Sequence, residues 1–160
     1  MLMLLCCVGK DLYAIGTSCI VEVIPRVALR KVHHVPEYVA GLFNYRGKIV
    51  PVIDLCSLIR GTSSRFCLST RIIIISYLHP EHECQYLGLI AERITETLNR
   101  PETDFVDSGI RIKEAPYLGG MIMDDRGIIQ RINLEQLLTD AENSYLLTAG
   151  ESYINDMVKN

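Results

Sequence analysis

The sequence lacks the glycine-rich patterns that bind phosphate groups, since neither G-x-x-x-x-G-K-[ST] nor G-x-G-x-x-G occurs in it. The Gly119-Gly120 pair precedes an apolar strand rather than a helix, so it is not a phosphate cradle. The adjacent carboxylates Asp124 and Asp125 are explained by a hairpin turn that ends at Gly127. No convincing catalytic constellation remains, and a non-enzymatic binding role becomes the leading class by elimination.

Long hydrophobic runs are also missing. The apolar stretches MLMLLCCV at residues 1–8 and RIIIISYL at residues 71–78 are far shorter than the roughly 20 residues that a membrane-spanning helix needs. The first stretch has no basic segment before it and no A-x-A-like site after it, so it does not resemble a secretion signal. Both runs predict buried strands, and no direct membrane insertion is expected.

The sequence has no excess of positive charge. Its net charge of −3 argues against a general nucleic-acid binder, which would usually be basic. The charge is uneven, because residues 1–60 hold seven Lys/Arg and four Asp/Glu, whereas residues 61–160 hold nine and fifteen. The basic part indicates either an acidic partner or, more simply, a solvated face.

Cysteine pairs with metal or redox spacing are absent. None of the six cysteines forms a C-x-x-C pair, and their spacings do not suggest a disulfide framework, which favours a reduced, cytoplasmic protein. An alternative function would be a metal- or redox-dependent protein built on Cys19, Cys56 and Cys84 together with the histidines. The segment 79–84, H-P-E-H-E-C, holds metal-capable residue types but no familiar zinc spacing, and a solvated hairpin tip explains it better. No metal or cofactor is expected.

Short apolar runs separated by turn residues fill most of the chain, which predicts an all-β fold of about ten strands with short helices. The predicted strands cover residues 2–8, 12–15, 20–24, 26–33, 39–45, 48–55, 70–78, 86–98, 117–124 and 127–132. Short helices are predicted after Asp54 and Asn133, which are good N-cap residues, and a further terminal helix over residues 140–160.

One stretch carries a specific signal. VAGLFNYRGKIVPVIDL, residues 39–55, places an arginine at the tip of a turn between two apolar strands, where only Asn and Gly are needed. With the residues before it, the stretch resembles the signature of the CheW family, a proline followed by V-x-G-x-x-N-x-R-G and I-x-P-V-x-D-L. The matching residues are Pro36, Val39, Gly41, Asn44, Arg46, Gly47, Val50, Pro51, Val52, Asp54 and Leu55.

Further blocks agree with the family in order, so that the resemblance covers about residues 2–140. The resemblance implies one CheW-like domain, residues 1–160, of two packed five-stranded SH3-like β-barrels. Subdomain 1 is expected at about residues 12–66. Subdomain 2 is expected at about residues 67–140 with the N-terminal strand contributing, followed by a helical tail at 140–160. The short N-terminus and FNYRG look most like adaptors of Wsp-type surface-sensing clusters.

By the same resemblance, the protein is an adaptor without enzymatic activity. It would couple the cytoplasmic tip of a chemoreceptor, a methyl-accepting protein, to the regulatory domain of a CheA-type histidine kinase, and would lie in the cytoplasm with membrane receptor arrays. The resemblance places Arg46 at the receptor-facing turn, paired with Glu22; a merely stiffening role for this pair is equally open. Asn44, Gly47, Val39 and Ile20 are the other expected binding residues, with Val50 and Val52 as further apolar candidates. Each of the four apolar residues is as readily a core residue.

Overall fold

The computed structural model describes residues 1–78 and 84–143, and within them strands dominate. The strands are β1 (Leu2–Val8), β2 (Asp11–Gly16), β3 (Ile20–Pro25), β4 (Val39–Tyr45), β5 (Lys48–Asp54), β6 (Arg71–Leu78), β7 (Cys84–Asn99), β8 (Leu118–Asp124) and β9 (Gly127–Ile132). Two helices, α1 (Leu55–Arg60) and α2 (Leu134–Asn143), follow β5 and β9. No helix in the described ranges is long and apolar enough to cross a membrane.

Two five-stranded sets share the long strand β7. The first half of β7 pairs with β6 on one side and with β5 on the other. Strand β6 also pairs with β3, and β5 also pairs with β4. The second half of β7, from Glu92, pairs with β1, which continues into β2, β9 and β8. The change of sheet coincides with a positive φ of 50° at Arg93, a local bend of the kind that lets one strand serve two sheets. The predicted all-β fold of two five-stranded, SH3-like barrels with short helices is confirmed.

The strand pairing groups the strands differently from the expected boundaries at residues 12–66 and 67–140. Strand β2 pairs with β1 and β9, so it belongs with the second set, and β6 pairs with β3, so it belongs with the first. The pairing joins strands that are far apart along the chain, and a division by sequence position does not capture this.

Three hydrophobic clusters form the core, one inside each strand set and one that joins the two sets. One fills the interior beside β4 and β5 and contains Ile72 and Ile74, and another lies between β1, β2 and β9 and contains Met3. The largest cluster draws Ile73 and Ile75 from one set and Ile15 from the other, with residues of both helices. Strand β6 is therefore buried on both faces, which explains its continuous run of isoleucines.

The helix starts follow the sequence. The side chain of Asp54 accepts hydrogen bonds from the backbone N–H groups of Cys56 and Ser57, and Asn133 accepts one from Gln136. Both predicted N-caps are thus confirmed. The expected terminal helix over residues 140–160 is described only as far as Asn143, where α2 ends, and the remainder lies outside the described residues.

The prediction of a strand over residues 26–33 was wrong. Strand β3 ends at Pro25, and the backbone of the following segment pairs with the sheet only through a bridge of two hydrogen bonds between Arg30 and Leu42, while the half-buried side chain of Leu29 packs on the barrel interior. Most side chains of residues 26–33 are exposed or half-buried, so the apolar pattern has no continuous core face to cover.

A glycine in β7 is required by packing. A Cβ atom at Gly88 would lie 3.0 Å from methyl carbons of both Ile72 and Val52, which are buried. We expect Gly88→Ala to destabilise the fold by about 1–3 kcal/mol because neither neighbour has room to move. Thermal unfolding of Gly16→Ala is the matched control: its Cβ would meet only the Met1 sulfur, at 3.9 Å, and an unchanged or raised Tm is expected. Equal effects of the two substitutions would contradict the packing argument.

Candidate protein-binding site at the β4–β5 turn

The turn between β4 and β5 has the mirror-image geometry that suits a two-residue hairpin. Its central residues, Arg46 and Gly47, both have positive φ angles, 51° and 83°. The side-chain oxygen of Asn44 accepts a hydrogen bond of 2.8 Å from the backbone N–H of Gly47. A Cβ at Gly47 would meet nothing within 4 Å, so glycine serves the backbone conformation there and not a contact.

Arg46 is a poor choice for this backbone conformation. A non-glycine residue in the left-handed region costs about 1–2 kcal/mol, and Asn or Gly would fit the turn better. Its side chain is 71% exposed, and one Nη atom lies 3.1 Å from Oε2 of Glu22. An exposed ion pair is worth only about 0–1 kcal/mol, too little to justify the arginine by stability.

Tyr45 joins this exposed pair to the core. Its ring is buried and packs edge-to-face on Tyr86 with the ring centroids 5.7 Å apart, while its hydroxyl donates a hydrogen bond to Oε2 of Glu22. The guanidinium of Arg46 lies over the same ring, 5.1 Å from its centroid. The hydrogen bond to the Glu22 carboxylate, together with burial, raises the pKa of Tyr45, so its hydroxyl keeps its proton at neutral pH. Glu22, Tyr45 and Arg46 are called the Arg46 cluster below.

A second cation lies beside the Arg46 cluster. The ammonium group of Lys48 is 5.0 Å from the centroid of the Tyr86 ring, and cations over aromatic faces are held by the negative charge of the ring face. The turn therefore presents two positive groups, each lying over a tyrosine ring.

The structure brings four of the expected binding residues together, namely Glu22, Asn44, Arg46 and Gly47. The half-buried side chains of Val39 and Ile20 pack instead against the large central cluster, at the other end of β4 and at the start of β3. For Val50 and Val52 the core alternative holds: they are 1% and 0% exposed because they point into the barrel interior.

Sequence reasoning missed Tyr45. It stands between Asn44 and Arg46 in the motif, and period-two alternation along β4 puts its side chain on the same face as Phe43. That pattern identifies a buried aromatic residue. The hydrogen bond to Glu22 links β4 to β3, two strands that do not pair with each other and are brought close only by their separate pairing with β5 and β6, so no local signal reveals it.

A second set of polar residues is structural. Asp54, 4% exposed, also accepts hydrogen bonds of 2.9 and 2.6 Å from the backbone N–H and hydroxyl of Ser64. The buried carboxylate of Glu92 accepts a hydrogen bond of 2.7 Å from the backbone N–H of Arg65 and forms an ion pair of 3.4 Å with the guanidinium of the same residue. Burial opposes the charge of Glu92, but the bonds from Arg65 outweigh it and lower the pKa of this carboxyl. These contacts fix residues 61–70 against α1 and β7.

The structure does not assemble Cys19, Cys56 and Cys84 into the metal or redox site of the alternative hypothesis. Cys56 is buried, Cys84 is exposed at the start of β7, and Cys19 is half-buried beside the central cluster. Burial raises the pKa of Cys56, which disfavours its thiolate. Within residues 1–78 and 84–143, no three His, Cys, Asp or Glu side chains are placed to hold a metal ion, and the H-P-E-H-E part of the loop lies outside these ranges.

The exposed thiol of Cys67 has different chemistry. Hydrogen bonds with Ser69 and Thr70 lower the pKa of Cys67 to about 7. Because the thiolate is the nucleophile, we expect iodoacetamide to label Cys67 first, with a rate that rises through about pH 7, and Ser69→Ala to slow this labelling. Mass spectrometry of partly labelled protein tests this, with Cys84, which is also exposed, as the internal comparison for access. Faster labelling of Cys84 at pH 7 would contradict it.

Comparisons with known proteins agree on one family. Residues 2–142 match the CheW-like domain. Chemotaxis protein CheW of Helicobacter pylori (strain ATCC 700392 / 26695) is 29% identical over 97 residues, which cover 61% of this chain and only 56% of that relative. The crystal structure of scaffolding protein TtCheW from Thermoanaerobacter tengcongensis superposes with a TM-score of 0.70 at 27% identity, covering 83% of this chain and 84% of that one.

Proposed function

This chain belongs to the CheW-like family, and we propose that it is a non-enzymatic cytoplasmic adaptor in chemosensory signalling. It couples the cytoplasmic tip of a chemoreceptor to the regulatory domain of a CheA-type histidine kinase within membrane-associated receptor arrays. Its mechanism is the presentation of complementary surfaces, and no bond is made or broken. The specific assignment to Wsp-type surface-sensing clusters remains a prediction from the residues around FNYRG.

The observation that carries this proposal is the position of Arg46. An exposed guanidinium occupies a turn position where it costs backbone energy, pairs with Glu22 24 residues earlier, and rests on a buried tyrosine. Natural sequences depart from local preference mainly where function requires it. An arginine fork suits recognition of carboxylates on a partner.

The test is direct binding with purified components. Isothermal titration calorimetry would measure the affinity of the full chain for two probes from the same bacterium, the cytoplasmic hairpin of a chemoreceptor and the regulatory domain of its CheA-type kinase. We expect saturable binding to both, with both bound at once in a ternary mixture. Binding to neither probe would overturn the proposed function, and binding to only one would overturn the coupling role.

A further inference from the structure

The Arg46–Glu22 pair needs an orienting element. Both side chains are exposed in part, 71% for Arg46 and 39% for Glu22, and long charged side chains in water sample many rotamers. An exposed ion pair alone does not hold one geometry. A binding site, by contrast, gains affinity when its groups are ordered before the partner arrives.

Tyr45 is the one member of the Arg46 cluster fixed by the core. Its ring is 7% exposed and belongs to the barrel interior with Val50 and Val52. Phe43 and Tyr86 lie against it, with centroids at 6.1 and 5.7 Å. Its hydroxyl reaches the surface at the point where Glu22 and Arg46 meet.

Both charged groups contact this one side chain. Glu22 accepts hydrogen bonds from the Tyr45 hydroxyl and from Arg46 on the same oxygen, Oε2. The guanidinium of Arg46 also covers the Tyr45 ring. Within the part of the chain that the structure describes, Arg46 uses one nitrogen, Nη2, and its other donors have no partner.

We propose that Tyr45 is the positioning residue of this site: it holds Glu22 and Arg46 so that the guanidinium presents its remaining donors to a carboxylate on the partner protein. This inference rests on the proposed adaptor function and adds a partner chemistry and a residue outside the expected binding set. The nearby ammonium of Lys48 adds positive charge and favours the same acidic partner.

The substitution Tyr45→Phe separates positioning from packing, because it keeps the buried ring and removes only the hydroxyl. We expect a loss of about five- to tenfold in affinity for the receptor hairpin or the kinase regulatory domain, whichever depends on Arg46, since the site must then be ordered on binding. Tyr13→Phe is the matched control: the Tyr13 side chain is also buried, 6% exposed, but it belongs to the large central cluster and not to the barrel interior around Tyr45, and unchanged affinity is expected.

A double-mutant cycle with Arg46→Ala gives the decisive readout. If Tyr45 acts through Arg46, Tyr45→Phe should have no further effect on affinity in the Arg46→Ala background. An equal loss in both backgrounds, or no loss with Tyr45→Phe while Arg46→Ala weakens binding, would overturn the positioning role and leave the proposed function standing. Wild-type protein that binds neither probe would overturn both.

A second variant covers the case in which Tyr45→Phe unfolds. Glu22→Gln lies outside the buried core and disturbs the same three-residue arrangement from its exposed end. It should reproduce the affinity loss, and this loss should again vanish in the Arg46→Ala background. Persistence of the full loss in that background would count against the proposal.

Discussion

Substitution of Arg46 by glutamate should lower affinity for the Arg46-dependent partner by about 30- to 100-fold, which corresponds to roughly 2–3 kcal/mol. The change removes the guanidinium and places a second carboxylate beside Glu22, facing an acidic partner group. Because the Arg46 side chain is 71% exposed, the folded state should change little in Tm. Calorimetric titration with the receptor hairpin and the kinase regulatory domain measures the affinities, and thermal unfolding measures the stability.

Two variants show whether charge at this particular position matters. Arg111→Glu is the matched control, because Arg111 is 90% exposed and forms an exposed ion pair with Asp107 in another loop. It should leave both affinities nearly unchanged. Arg46→Asn should lose affinity while stability stays level or rises by about 1 kcal/mol, because Asn tolerates the left-handed backbone. Full affinity in Arg46→Glu would make the arginine a structural turn residue.

Local patterns in the sequence predicted most of the individual strands and helices. The isoleucine run of β6, the long strand β7 and the caps Asp54 and Asn133 follow from burial, alternation and capping preferences that act within a few residues. The prediction of a strand over residues 26–33 was wrong because an apolar pattern becomes a strand only where it can pair along its length with a free sheet edge. In this segment only Arg30 pairs with a strand.

Pairing between distant strands lay beyond local reasoning. Strand β2 meets β9 in parallel, with Leu12 opposite Ile129, and no property of residues 11–16 alone specifies that neighbour. The same limit applies to the site. The motif and its family resemblance indicated Arg46 and Glu22, but the part played by Tyr45 depends on β3 lying close enough for Glu22 to accept its hydroxyl.

The signature's other charged residue, Asp54, should matter for stability and not for binding. Asp54→Ala is expected to destabilise the fold by about 3 kcal/mol, since it removes an N-cap and leaves the buried hydroxyl and backbone N–H of Ser64 unpaired. At this chain length such a loss lowers Tm by about 6–12 °C. Calorimetric unfolding measures it, and hydrogen exchange should show the largest loss of protection in residues 61–70 and the start of α1.

The comparison that isolates this effect is the N-cap of α2. Asn133 is exposed and makes a single capping bond, of 3.2 Å to Gln136, so Asn133→Ala should cost only about 1 kcal/mol. Asp54→Asn keeps an acceptor oxygen for the helix but weakens the hold on Ser64, and should fall between the two. If Asp54→Ala cost no more than Asn133→Ala, the Ser64 bonds would contribute nothing, and residues 61–70 would be held by their other contacts, such as those between Arg65 and Glu92.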